Sequence, residues 1–387
     1  MATDRPRLTL AGNAIPGRGG QGINLSQMIS GLGEAFDLTV FSRGSAPGFR
    51  SETTAPSRMA ALVGALPLLR RMRDKQTSFE DVAFDSQVAA RIPDCAIFQG
   101  VTGQCLATLE RLKARGTVTV LDSITAHIDE FARVGRRECD EFGFRFPIDN
   151  RMQSRMRKEY EVADVIRVMS DYAKSTFLDR GFNGDRIVVA EPHYDVETFP
   201  NLRPRTDTLS VCYLGALEPW KGFHILVDAF EKLQAEDAEL RLWGGSGSHK
   251  VTEYLDKLLN TTNRVYHSTI DVRYSGYGRV FEGASVVVLP SLSDGFGQVV
   301  AEAMACGIPA IVTSSSGASS LVEDGVNGFV VPPGNPEAIF ERLEHLSRDR
   351  AVLDPMGQAA RQTVALYDLQ RFQDKYTNAL LGVLHSA

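Results

Sequence analysis

Residues 290–309 read Pro-Ser-Leu-Ser-Asp-Gly-Phe-Gly-Gln-Val-Val-Ala-Glu-Ala-Met-Ala-Cys-Gly-Ile-Pro. The apolar run Ser285–Leu289 in front of them predicts a buried strand ending at Pro290. A polar turn then carries Asp294, and a helix starts near Gly297 and stops at Gly307. The first turn of such a helix presents unpaired backbone N–H groups and a partial positive charge, suited to a phosphate or a sugar hydroxyl. Asp294 sits on the loop at that mouth and Glu302 lies a turn and a half into the helix. Two carboxylates therefore address different parts of one polyhydroxylated ligand. The plainer alternative makes Asp294 a helix cap and Glu302 a surface charge.

Outward from this unit the same rhythm of short strand and longer helix repeats, the signature of parallel βαβ units. The second half predicts strands at Leu209–Tyr213, Leu240–Trp243, Arg264–Tyr266, Ser285–Leu289 and Ala310–Val312, with helices beginning near 222, 248, 272, 297 and 336. The first half predicts strands at Leu8–Ala11, Leu38–Phe41, Cys95–Phe98, Val118–Leu121, Val165–Val168 and Ile187–Val189. Its helices fall near 22–33, 103–115, 150–163 and 171–181. The polar stretch Pro192 to Asp207, with Pro200 and Pro204, reads as a linker. The expected fold class is α/β, two doubly wound parallel sheets of Rossmann type facing a central cleft, one domain over 1–195 and another over 205–365. Apolar residues at helical spacing (Phe372, Tyr376, Leu380, Val383) predict a terminal helix in 366–387 that packs back on the first domain.

The 290–309 run resembles the retaining GT-B glycosyltransferases of family 4, the glycosyl transferases group 1. Their hallmark is two acids with seven residues between them inside a Gly-Phe-Gly and Glu-Ala-Met-Ala-Cys-Gly context. Asp294 and Glu302 keep that spacing, with the first Glu shortened to Asp. The resemblance implies that Asp294 and the amides of Phe296, Gly297 and Gln298 hold the donor sugar, and that Glu302 binds the ribose hydroxyls. Tyr213-Leu-Gly-Ala-Leu-Glu-Pro-Trp-Lys-Gly-Phe223 resembles the family's diphosphate loop. There Gly215 and Lys221 meet the leaving diphosphate, and Ala216 replaces the family arginine, a role Arg18 or another nearby cation is left to fill. Gly317–Gly334 is similar to a further family segment, mostly turn chemistry at Asp324-Gly and Asn327-Gly. Gly244-Gly245-Ser246-Gly247 fits the family's strand-then-glycine turn, and the strand and loop through Ile270 take its base-contacting position, with Ser268 replacing the usual glycine.

In the first half, Gly17-Arg-Gly-Gly-Gln-Gly22 formally satisfies Gly-x-Gly-x-x-Gly. A dinucleotide site needs an acid at the end of the next strand. That position reads Phe41-Ser-Arg43, which disfavours NAD. In the glycosyltransferase reading, Gly19, Gly20 and Gly22 face the donor phosphates. His127 follows the strand Val118–Leu121 and is the candidate cleft histidine, with Asp122 competing for the position and a structural histidine as the alternative. The other histidines show no metal-ligand spacing, and no Asp-x-Asp clamp lies in a cleft loop, in keeping with the metal independence that the family implies.

Composition bounds the rest. The 387 residues hold 43% hydrophobic and 23% charged side chains, those of a globular protein of two to three domains. The net charge of −6 argues against a nucleic-acid binder. Five cysteines with no Cys-x-x-Cys pair suggest neither a disulfide framework nor a zinc site, so cytoplasm is the expected compartment. The N-terminus lacks the design of a secretory signal. Basic, apolar material at 58–73, with Arg145, Arg151, Arg155, Arg157 and Lys158, suggests a face for an anionic membrane and a lipid-linked acceptor; a solvated helix face is the alternative.

The resemblance thus implies a retaining, metal-independent hexosyltransferase, with no cofactor beyond a UDP- or GDP-sugar as substrate. The acceptor is a hydroxyl of a glycan or lipid-linked molecule, in bacterial surface polysaccharide or glycolipid synthesis. Two rivals stand beside it: a nucleotide-sugar epimerase of the same fold, and a degenerate nucleotide-binding partner without catalysis, suggested by Ala216 and Asp294.

Overall fold

The computed structural model describes residues 5–59, 61, 76–143, 146–246, 248–269 and 272–386. Seven parallel strands form the first sheet: β1 (Arg7–Ala11), β2 (Asp37–Ser42), β3 (Arg50–Thr53), β4 (Ile97–Val101), β5 (Val118–Ser123), β6 (Val165–Val168) and β7 (Ile187–Val189), in the order β3-β2-β1-β4-β5-β6-β7. Six more form the second: β8 (Leu209–Leu214), β9 (Ala238–Trp243), β10 (Val265–Ser268), β11 (Val286–Leu289), β12 (Ala310–Thr313) and β13 (Gly328–Val331), in the order β10-β9-β8-β11-β12-β13. This is the two-sheet α/β fold expected. In each sheet the order reverses between two central strands, β1 and β4 or β8 and β11. Crevices that take ligands open at the carboxyl ends of such pairs.

The strands hold because their side chains are apolar on both faces. Leu8, Leu10, Val40, Ile97, Val120, Val286, Val288 and Ile311 are all essentially inaccessible. Two strands escape the apolar-run criterion. Arg50–Thr53 is an exposed edge strand of Arg-Ser-Glu-Thr, and Gly328–Val331 lies within a turn-rich segment. The helices Gln76–Arg91, Ile128–Glu141 and Leu353–Ala365 are also additions to the expected pattern. The third of these binds the linker: Arg361 donates to the carbonyls of Val196 (2.9 Å), Phe199 and Ala305.

The helix Ile128–Glu141 keeps Ile128 in the first sheet's core, but from Ala132 onward it and the residues after it leave that core. Ala132, Val134, Cys139 and Phe146 join the second domain's cluster around Trp220, Phe223 and Leu226. Phe131 meets Trp220 edge-on at 6.0 Å, and Phe142 meets Phe223 at 6.0 Å. The chain's last residues cross the other way, with Phe372, Tyr376 and Leu380 sharing a cluster with Leu8, Leu25, Met28 and Val120.

A buried ionic group fixes that crossing. Arg167 is wholly inaccessible; it donates to Asp122 (2.7 Å), Asn24 (2.9 Å) and the Ala190 carbonyl (2.6 Å). Its guanidinium lies 5.9 Å from the Tyr376 ring centre, and the Tyr376 hydroxyl donates to Gln99 (2.8 Å). Removing one partner of such a pair strands a charge in the interior. Asp122→Ala is expected to cost about 3–5 kcal/mol in urea unfolding, against about 1 kcal/mol for Tyr376→Phe. Equal costs would show that Arg167 is not held by charge pairing.

Candidate active site

The Lys221 side chain is placed by a turn. Pro219–Lys221 form one 3-10 turn after β8, and Gly222 follows in the left-handed region (φ 71°). A Cβ on Gly222 would lie 2.1 Å from the Pro290 carbonyl oxygen. Only glycine permits this approach, and it seats the Lys221 turn on the end of β11. The Trp220 carbonyl accepts from the Leu292 amide (2.9 Å), a second tie between the two loops.

Across this contact Lys221 Nζ lies 2.6 Å from Asp294 Oδ2, with the two side chains 29% and 12% exposed. Ser291 Oγ donates to the same oxygen at 3.4 Å. The Asp294 amide donates to Ser315 and its carbonyl accepts from Gly317, which fixes the loop. The acid and the lysine named by the sequence therefore stand together at the carboxyl ends of β8 and β11.

Behind them the helix Gln298–Ala305 begins at Gly297. Phe296 is buried in the core, so only its backbone is left for a ligand; Gln298 Oε1 is buried without a partner among the described residues. Glu302 is 7% exposed and accepts from the Tyr277 hydroxyl at 2.7 Å. Burial raises its carboxyl to about 7, against the smaller lowering by that bond. Tyr277 escapes sequence reading because an aromatic inside a helix carries no chemical signature.

Gly215 donates its amide to Trp243, and the Ala216 carbonyl accepts from the Tyr213 hydroxyl (2.7 Å). Arg18 stands exposed as the residue before the helix Gly19–Leu32. Gly19 and Gly20 are exposed with open space around them, whereas Gly22 is buried against the Ile15 carbonyl, so its part in the loop is packing. Ile270 lies outside the described residues, as do Arg145, Gly247 and most of the basic stretch 58–73. Arg155 is largely buried and paired with the buried Asp85, so it is internal rather than membrane-facing, whereas Arg157, paired with Asp129 (2.6 Å), keeps a side chain 42% exposed. On the first domain's crevice edge, Asn13 donates to Asp81 (2.7 Å) and accepts from Arg43. Asp81, raised by burial to about 6, sits on a helix that the apolar pattern does not reveal.

The two domains meet at the acidic loop. Ser170 Oγ donates to the Gly295 carbonyl (2.7 Å) and the Tyr172 hydroxyl to Ser293 (2.9 Å). A Cβ on Gly295 would fall 2.2 Å from the Ile124 carbonyl oxygen, so this glycine serves the seam between domains.

His127 is corrected by the structure. It is 3% exposed and caps the helix Ile128–Glu141, Nδ1 accepting from the Asp129 amide (3.1 Å). Tyr160, Phe177 and Phe182 surround its ring at 4.8–5.6 Å. A cleft position after β5 reads the same in sequence as an N-cap, because both follow a strand end.

Residues 196–363 match the model of the family described as glycosyl transferases group 1. A D-inositol 3-phosphate glycosyltransferase of Paenarthrobacter aurescens is 29% identical over 224 residues, 53% of this chain and 54% of that protein. The capsular polysaccharide biosynthesis glycosyltransferase CapM of Staphylococcus aureus is 27% identical over 164 residues, 41% of this chain and 42% of that protein. The chain thus spans about half the length of the curated relatives it matches. Among solved structures, sucrose-phosphate synthase of Thermosynechococcus elongatus superposes with a TM-score of 0.74 at 21% identity, covering 99% of this chain and all of that one. Anabaena Alr3699/HepE in complex with UDP-glucose gives 0.70 at 16%, covering 98% of this chain and all of that one. The chain has the GT-B fold, and its residues 196–363 are similar to the glycosyl transferases group 1.

The His127 geometry makes a pH prediction. Burial holds its imidazole at about 4, below its ordinary value, so protonation favours the unfolded chain. Its contribution is whole above about pH 6.5 and fades as pH falls toward 4. The stability difference between wild type and His127→Asn, whose amide still caps, is expected to rise with pH over that window, by at most about 1.4 kcal/mol per unit, and to be flat above it. A difference flat throughout would overturn the buried neutral imidazole.

Proposed function

We propose that the chain is a retaining, metal-independent hexosyltransferase, moving sugar from a uridine or guanosine diphosphate donor to a hydroxyl of a glycan or lipid-linked acceptor. Its setting is bacterial surface polysaccharide or glycolipid synthesis at the cytoplasmic face of the membrane. The observation that carries the reading is the Lys221–Asp294 pair at the strand-order reversal of the second sheet, with Glu302 buried behind it. HepE, a structural neighbour, was solved in complex with UDP-glucose, and CapM is named for capsular polysaccharide biosynthesis, both in keeping with this choice. Among the described residues no helix is long and apolar enough to cross a membrane.

In this reading the donor diphosphate enters between the Lys221 turn and the amides that start Gln298–Ala305 and Gly19–Leu32. Lys221 exchanges its carboxylate partner for phosphate oxygens, and Asp294, released, accepts from a sugar hydroxyl. Glu302 takes the ribose hydroxyls. The leaving diphosphate, stabilised by ammonium and amides, accepts the acceptor's proton while the nucleophile attacks on the same face of the sugar. The Gly295 seam keeps water from the anomeric carbon. Because Ala216 carries no charge, the loop after β8 neutralises the diphosphate through Lys221 alone.

A thermal-shift and hydrolysis panel of UDP-, GDP-, ADP- and CMP-sugars, with and without EDTA, tests this. The expected result is stabilisation by a UDP- or GDP-sugar, unaffected by EDTA, with slow release of its nucleoside diphosphate. Lys221→Ala is expected to lower kcat by about 100- to 1,000-fold, as the loss of one charge-stabilising donor does elsewhere. No shift with any donor would replace this reading with the degenerate one, and release of an epimerised nucleotide-sugar would replace it with the epimerase.

A further inference from the structure

The phenol bonded to Glu302 has a job that neither the sequence nor the relatives assign, and that job rests on the donor-site reading above. The helix Val272–Phe281 is interrupted at Gly276, and Tyr277 begins its second segment. Its ring lies 5.0 Å from Phe199 of the linker and is stacked at 6.1 Å and 8° on Phe281. Its hydroxyl reaches Glu302 Oε1 at 2.7 Å, whereas Oε2 accepts no hydrogen bond among the described residues. We infer that Tyr277 is a positioning residue for the donor nucleotide, fixing one oxygen of Glu302 and leaving the other to a ligand hydroxyl.

The surroundings explain why a phenol is needed. Tyr194 from the linker faces the same carboxylate, its hydroxyl buried without a partner among the described residues. Cys306 lies one residue beyond Glu302's own helix. Arg361, the cation beside Cys306, is spent on the carbonyls of Val196, Phe199 and Ala305. With no neutralising cation bonded to it among the described residues, Glu302 depends on the Tyr277 bond to stay ionised near neutral pH and to hold one rotamer. The same ring touches the linker, so the carboxylate's orientation and the packing of Phe199 share one side chain.

The test is calorimetric binding of UDP and of GDP between pH 6 and 9 by wild type, Tyr277→Phe, Glu302→Gln and the double variant, with donor kinetics alongside. Affinity of the wild type for the nucleotide it accepts is expected to rise through about pH 7. In Tyr277→Phe the midpoint moves to higher pH, affinity at pH 7 falls by about 5- to 10-fold, and the loss is recovered toward pH 9. Donor KM follows the same course while kcat at saturating donor changes far less. In the Glu302→Gln background the Tyr277 change has no effect on either. The nucleotide's own phosphate ionisation is common to all four proteins and cancels. An unchanged midpoint and affinity in Tyr277→Phe would overturn this role alone; failure of the wild type to bind either nucleotide would overturn the donor-site reading and the role with it.

Discussion

The site depends on the approach of two loops that the sheet order leaves side by side. With β8 and β11 adjacent and their helices leaving in different directions, the loops at their ends face a common crevice. Gly222 against the Pro290 carbonyl lets those loops touch. An ammonium and a carboxylate then meet at 2.6 Å where only partial exposure weakens their attraction. In the free protein this pair answers the problem of two charges at a half-buried crevice. It also sets what a ligand must offer: an anion able to replace a carboxylate on lysine and a donor able to satisfy the carboxylate left behind.

Around this pair the domains are not simply hinged. The Gly295 loop presses on the Ile124 carbonyl, Ser170 and Tyr172 bond across the seam, and Arg361 anchors the linker to the second domain through the Val196 and Phe199 carbonyls. Glu302 lies just inside, beneath Tyr194 and Tyr277. Linker, seam and carboxylate thus belong to one packed neighbourhood, joined through Tyr194, Phe199 and Tyr277.

Much of this was legible in sequence where one residue type has one physical use. Apolar runs gave the central strands, since a strand buried on both faces has no other composition. The acid and lysine loops were legible because glycine, proline and charge at fixed offsets have few structural solutions. The edge strand Arg50–Thr53 was not, being polar and exposed. His127 misled because capping a helix and facing a cleft need the same acceptor atom in the same place after a strand. Tyr277, Asp81 and the Arg167 group were silent because their meaning comes from partners 25 or more residues away. Asp122, weighed against His127 for a cleft role, is instead committed to Arg167.

The segment following His127 bears on how such chains are recombined. By order along the chain it belongs to the first domain, yet Ala132, Val134, Cys139 and Phe146 complete the core built on Trp220 and Phe223. A chimera cut at the linker would pair one parent's aromatic plug with another parent's socket. It would leave a mismatched interior even if both halves were sound. The transferable unit is therefore discontinuous: the second sheet travels with the strip from Ala132 to Phe146, and the first sheet with the tail that carries Phe372, Tyr376 and Leu380.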